Sequence, residues 1–158
     1  MDRIILGESI PYQWFGIRLL VPKDWRAHYT REEIEAKPVH VQHFYAGAYE
    51  QLSFLMLVHQ TGHFNQMQDH IQDYIDGVIG MVNNAQMGDV LRTTVGGHDA
   101  FSFNMTGEIG GVRASFAQIV FTGNAGELYT IAMAGDKLYC EGLELIVSSV
   151  VIEPRSGR

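Results

Sequence analysis

Between Val90 and Ala132 four runs of alternating or continuous apolar residues are separated by three short glycine-bearing breaks. The runs are Val90 to Val95, Ala100 to Thr106, Val112 to Thr122 and Leu128 to Ala132. Period-two alternation is the pattern of a strand with one face covered. The breaks are Gly96-Gly97, Gly110-Gly111 and Asn124-Ala125-Gly126. Glycine and asparagine accept the positive φ that tight hairpins demand. Breaks this short cannot return a strand in parallel, which takes a dozen residues or more. The segment is therefore expected to be an antiparallel meander.

The chain before the meander adds further elements. Phe15 to Val21 reads as a strand stopped by Pro22, and Thr30-Arg31-Glu32-Glu33 has the form of a capping box opening a short helix. Val39 to Tyr45 and Leu52 to His59 are rich in β-formers and flank Ala46-Gly47-Ala48, so they are expected to pair as a hairpin. From Phe64 to Asn84, Phe64, Met67, Ile71, Tyr74, Ile75, Val78 and Val82 recur at helical spacing. Asp69, Asp73 and Asp76 fall on the opposite side, the solvated back that a core-facing helix needs. At the other end Asp136 has the character of an N-cap for a closing helix with Leu138, Leu143, Ile146 and Val147 inward. Val150-Val151-Ile152 is expected as a short edge strand before a polar tail over 153–158.

No linker, repeat or low-complexity run interrupts the 158 residues, so one domain is expected over 1–158. The expected fold is α+β: an antiparallel sheet of six to seven strands, packed by one long central helix and a C-terminal helix.

Several function classes are excluded by what the chain lacks. Eighteen acidic residues against 11 basic ones give a formal charge of −7, so there is no cationic footprint for nucleic acid or an anionic membrane. No apolar run reaches the roughly 20 residues of a membrane-spanning helix. The opening Met1-Asp2-Arg3-Ile4-Ile5-Leu6 has no h-region, and the single cysteine, Cys140, permits no intrachain disulfide. A cytoplasmic protein is the expectation.

Chemical motifs give equally little for catalysis. His59, His63 and His70 have helical spacing, but His59 ends a strand and His63 precedes the helix, so the spacing is not that of metal ligands on one face. Cys140 is spaced as a small core residue beside Leu138 and Leu143. Ser9, Ser53, Ser102 and Ser115 lie in no nucleophile elbow. Gly107-Glu108-Ile109-Gly110-Gly111 sits between two strands and is expected to be a hairpin turn, not a phosphate loop. No catalytic residue, metal or cofactor is assigned.

The apolar strands carry more information. Leu52 to Val58 is nearly all apolar, which suits a strand covered on both faces. Phe101, Phe103 and Met105 alternate with Ser102 and Asn104, and Phe116 lies on the next strand. Seven methionines add adaptable packing groups. Either these form an ordinary core or part of the sheet is a docking face for a helix or peptide. The docking alternative assigns partner contacts to Leu55, Leu57, Phe101, Phe103, Met105 and Phe116.

Taken together, Phe15-Gly16-Ile17-Arg18-Leu19-Leu20-Val21-Pro22-Lys23-Asp24-Trp25, Thr94-Val95-Gly96-Gly97-His98-Asp99-Ala100 and the Tyr129-Thr130-Ile131 strand make a pattern. With the long helix between the first two and the closing helix after the third, the chain resembles the PsbP-like superfamily. That group includes a Ran-binding nuclear import factor and bacterial DcrB-like proteins. Among signal-free bacterial members the resemblance points to the Eag chaperones of type VI secretion. It implies a homodimer whose sheet cradles apolar transmembrane helices of a secreted effector, with no enzymatic activity. A small-molecule or lipid carrier with a pocket between sheet and helix, and an immunity or assembly factor on the same fold, are the other roles open to such a domain. No motif in the chain is diagnostic of the chaperone branch.

Overall fold

The computed structural model describes residues 9–23, 25–45, 54–60, 72, 76–77, 79–80, 82–124, 126–135 and 143–153. They form two antiparallel sheets and two short helices. The smaller sheet joins β1 (Ser9–Trp14), β2 (Ile17–Pro22) and β11 (Val151–Ile152). The larger runs β3 (Arg26–Ala27), β4 (Val39–Tyr45), β5 (Phe54–Gln60), β10 (Leu128–Gly135), β9 (Val112–Thr122), β8 (His98–Ile109) and β6 (Asn83–Met87). β7 (Leu91–Val95) pairs with the other half of β8. The helices are α1 (Arg31–Glu35) and α2 (Leu143–Ser148).

The expected meander is present as β7 to β10, with Gly96, Gly97, Gly110 and Gly111 all at positive φ. Gly107 to Ile109 does not turn. It continues β8, paired with Val112 to Ala114, and only Gly110-Gly111 makes the bend. A glycine is needed within that strand because a Cβ on Gly107 would lie 2.1 Å from Val82 Cγ1.

The Thr30 capping box forms as expected, with the Glu33 amide donating to Thr30 Oγ1 at 3.2 Å. The β4–β5 hairpin forms with Tyr45 opposite Phe54, its connection lying outside the described residues. Val151–Ile152 is an edge strand, though of the smaller sheet.

Three expectations are corrected. The six or seven strands become eleven in two sheets among the described residues. β1, where no element was expected, is a strand in spite of Pro11, because an edge position needs no amide donor on its outer side.

The long helix over Phe64–Asn84 is not borne out: among the described residues no helix exceeds six. Most of that segment lies outside the described residues. Within it Gln72, Asp76, Gly77, Ile79 and Gly80 are helical, and the Gln72 amide donates to Asp76 Oδ1 at 2.9 Å. Asn83 and Asn84 belong to β6, because pairing with β8 outweighs their weak strand propensity. Asp136, Leu138, Cys140, His63 and His70 also fall outside the described residues.

The main core lies between the sheets. Trp14, Ile17, Leu19 and Val21 of the small sheet meet Leu55, Leu57, Ile119, Phe121, Ile131 and Met133 of the large one. Leu143 and Ile146 close its side from α2. The opposite face of the large sheet carries two smaller buried clusters, Phe103 with Val120 and Leu128, and Val82 with Met105, Ala114, Phe116 and Ala134.

Candidate functional site

The small sheet covers only part of the large one. Along β8 the inward residues run Ala100, Ser102, Asn104, Thr106, and opposite them on β9 run Phe121, Ile119, Ala117, Ser115. Ala100 and Phe121 are fully buried in the core, whereas Asn104 is exposed and Ser102, Thr106 and Ser115 are half-buried. Where the cover ends a groove of about 1020 Å³ opens, with this row as its floor. Leu91 and Thr93 of β7 form one margin, and Leu143, Glu144, Val147 and Ser148 of α2 form the other.

The groove combines two chemistries. Its floor offers hydroxyl and amide groups from Ser102, Asn104, Thr106 and Ser115, while Leu91 and Val147 supply apolar flanks. Leu91 is 60% exposed, the highest of the exposed large apolar residues in the described chain. Charges stand at the rim: Arg92 pairs with Asp99 at 3.4 Å, both well solvated, and Glu144 is exposed. No cluster of three His, Cys, Asp or Glu side chains suited to a metal occurs among the described residues. The arrangement offers hydrogen bonds and apolar contact along a trough.

A second polar feature lies at the far end of the core. Phe15 stacks on His40 (centroids 4.0 Å apart) and on His59 (5.3 Å), and His59 stacks on Tyr129 (4.8 Å). His40 and His59 face each other across β4 and β5 with Nδ1 atoms 3.1 Å apart, one ring donating and the other accepting. The Tyr129 hydroxyl donates to the Phe15 carbonyl, and Arg31 lies over the Phe15 ring at 3.9 Å. Burial, then the neighbouring Glu127 and Glu153 carboxylates, push the Tyr129 phenol well above its usual value.

Burial depresses the basicity of His59, His40 adds to that, and Glu127 opposes it; burial and then His28 depress His43. These two rings are harder to protonate folded than unfolded. Their contribution is fully present above the unfolded value of about 6.5 and is lost as pH falls toward the folded values. Urea midpoints are expected to be flat above neutrality and to drop between pH 7 and 5. The slope should be shallower in His59→Gln, and an unchanged slope would remove His59 from this account.

The six residues assigned as partner contacts do not form one exposed surface. Leu55 and Leu57 are buried between the sheets, at 0% and 1% exposure. Phe103, Met105 and Phe116 are buried on the other face, and Phe101 is half-buried beside Phe103. Met105 and Phe116 are cross-strand partners whose segments run through the groove, but their side chains join the cluster with Val82 on the other side.

Sequence reasoning passed over the groove residues, naming Ser102 and Asn104 only as the alternates of Phe101, Phe103 and Met105. It also tested His59 against His63 and His70, when the partner is His40. Tyr45 opposite Phe54 sets His40 opposite His59, so the hairpin register was the signal that finds the pair.

No family model and no curated protein matches the chain. Solved structures do. The cyanobacterial PsbP protein CyanoP from Synechocystis sp. PCC 6803 superposes with a TM-score of 0.63 at 14% identity, covering 96% of each chain. The chain has a PsbP-like fold. PA94 from Pseudomonas aeruginosa matches with a TM-score of 0.59 at 9% identity, over 94% of this chain and all of that one. LpqN of Mycobacterium tuberculosis, involved in cell envelope biogenesis, gives 0.53 at 17%, over 92% of this chain and 91% of its own. Identities this low establish the PsbP-like architecture expected from the sequence and nothing finer.

Proposed function

We propose that this PsbP-like domain is a non-enzymatic protein-binding module whose groove receives an apolar helical segment of a partner. The partner that best fits is a secreted effector of type VI secretion, whose transmembrane helices the domain shields in the cytoplasm before export. The observation that carries the reading is the groove itself. It is hydrogen-bonding along its floor and apolar at its flanks, where Leu91 is 60% exposed.

A helix is about 10 Å across with its side chains and rises 1.5 Å per residue, so about 1020 Å³ holds roughly two turns. A floor of serine, threonine and asparagine stays hydrated when empty, which avoids the exposed apolar patch that makes a free chaperone aggregate. When filled, the same groups can bond the backbone carbonyls of a helix rich in small residues.

Asn104→Trp fills the trough from an exposed position and leaves the core untouched. Affinity capture from the native organism, read by mass spectrometry, is expected to recover with the wild-type chain a protein bearing an apolar helical segment. Recovery with Asn104→Trp should fall at least about tenfold, the equivalent of 1.4 kcal/mol. Equal recovery by both chains would move binding away from the groove. Lipid recovered in place of protein would replace the reading with a carrier.

A further inference from the structure

The β1–β2 hairpin turns at Phe15-Gly16, between the paired residues Trp14 and Ile17, with φ of 31° and 95°. Glycine, asparagine and aspartate suit both central positions of such a turn, and a phenylalanine sits there against a steric cost. Strain of this kind persists only where the surroundings fix the residue, and it is found where structures switch. At Phe15 the ring does the fixing. It lies within 9° of parallel to both His40 and His59, at 4.0 and 5.3 Å, and the Arg31 guanidinium covers its other face at 3.9 Å. The Tyr129 hydroxyl donates to the carbonyl of the same residue.

The two rings under Phe15 have a particular geometry. His40 and His59 lie nearly in one plane, 18° apart, with centroids separated by 5.4 Å. That separation is the 3.1 Å between their Nδ1 atoms plus the two ring radii, so the nitrogens point straight at each other. A metal ion on that line would need nitrogens about 4 Å apart, twice the usual ligand distance. A single proton fits. With both rings neutral, one Nδ1 donates and the other accepts. A first added proton goes to Nε2 of the donating ring and makes the bond charge-assisted. A second has to go to the accepting Nδ1. Two N–H groups and two positive charges then meet across 3.1 Å, and the bond is lost.

We propose that the His40–His59 pair is an acid-released latch that holds the β1–β2 turn of the small sheet against the large sheet. When both rings are protonated they separate, the flat platform under Phe15 breaks up, and its strained backbone relaxes. The turn then leaves β4, β5 and β10 and uncovers that end of the inter-sheet core, Trp14 first. Elsewhere the small sheet stays tied, the Leu20 amide donating to Ser149 Oγ at 3.0 Å.

Among the described residues three charged groups surround the latch. Arg31, itself paired with Glu35 at 2.7 Å, stands above Phe15 and opposes added positive charge. Glu127 beside His59 favours it, and Glu153 acts with Glu127 on the Tyr129 phenol, which stays protonated. Burial outweighs these at His59 and, with His40 adding to it, holds the ring below its usual basicity. The latch is therefore shut at neutrality and opens as pH falls below about 6.5.

Trp14 supplies the probe. Its side chain is 0% exposed and its Nε1–H has no hydrogen-bond partner among the described residues, so burial alone protects it from exchange. Hydrogen exchange of the full chain, followed by NMR and corrected for the intrinsic rate, should show that protection falling at least about tenfold from pH 7.5 to 5. The amides of β8 and β9 should keep theirs, as a local opening requires. His40→Gln should remove the pH dependence, because a glutamine amide can donate to His59 or accept from it and follows the ring through both states. Phe15→Asn suits the left-handed backbone and removes the stacked ring, so protection should be low at both pH values.

Trp14 protection that is equal at pH 7.5 and 5, or that falls as far in His40→Gln as in the wild-type chain, overturns the latch. So does a loss of β8 and β9 protection in step with Trp14, which would make the transition global unfolding. Neither the groove nor a partner enters the measurement, so the latch and the groove reading fail separately.

Discussion

Leu55→Asp is expected to leave no folded protein. Leu55 is 0% exposed near the start of β5, with Phe44 opposite on β4 and Met133 opposite on β10. Its face of the sheet is covered by Trp14 and its neighbours in the small sheet. Losing the buried leucine packing costs about 2–5 kcal/mol. Placing a carboxylate there without a partner costs several kcal/mol more, whether it is ionised or takes up a proton to avoid it. Together these consume most of the roughly 5–15 kcal/mol that holds a domain of this size.

Expression should yield aggregate, or a soluble chain with no cooperative urea transition. Asn104→Trp, at the exposed floor of the groove, should melt like the wild-type chain. The pair therefore separates core from surface. A Leu55→Asp protein that melts normally and merely fails to bind would mean that the inter-sheet core is not closed at β5.

How much of this was legible in the sequence depends on the range of the interaction involved. The meander was, because a two-residue glycine turn and period-two alternation are local and agree with each other. Its limits were less so. β8 runs three residues past the expected end because Gly107 is there to let Val82 approach, a tertiary demand that in sequence looks the same as a turn signal. β1 was hidden by Pro11, which argues against a strand only where both edges are paired. β6, Asn-Asn-Ala-Gln-Met, has almost no intrinsic strand preference and is held by the free end of β8.

The candidate site was hidden for a different reason. Alternation shows which residues share a face, but not how far along that face a cover extends. Ala100 and Asn104 are on the same face of the same strand; one is in the core and the other at the floor of a groove. What separates them is the reach of a small sheet built from opposite ends of the chain, β1 and β2 from the start and β11 from the end. Of the apolar strand residues that looked like a docking face, Leu55, Leu57, Phe103, Met105 and Phe116 are buried and Phe101 is half-buried. The small sheet covers one face of the meander up to the groove, and two further clusters form on the other.

Gly16→Ala should destabilise the protein markedly more than Gly97→Ala, although both replace a hairpin glycine at similar positive φ. Gly16 has φ of 95° and Gly97 of 85°, so both variants incur the left-handed cost of about 1–2 kcal/mol. Around Gly97 nothing lies within 4 Å of the new Cβ, and that cost is the whole effect. At Gly16 the Cβ would stand 2.8 Å from the Tyr129 hydroxyl.

That hydroxyl cannot simply swing away. Tyr129 is 2% exposed, its ring is stacked on His59 and Phe121, and its proton is donated to the carbonyl of Phe15. Displacing it orphans that carbonyl and the phenol together, for about 1–3 kcal/mol beyond the backbone cost. Gly16→Ala should therefore lower the melting temperature by about 10 °C, and Gly97→Ala by about a third of that. Removing the hydroxyl first should shrink the gap. In a Tyr129→Phe background Gly16→Ala is expected to cost little more than Gly97→Ala, the non-additivity that a direct contact produces. If the two glycine variants melt together in the wild-type background, Tyr129 is not what fixes the β1–β2 turn against β10, and the small sheet must be held by its apolar face alone.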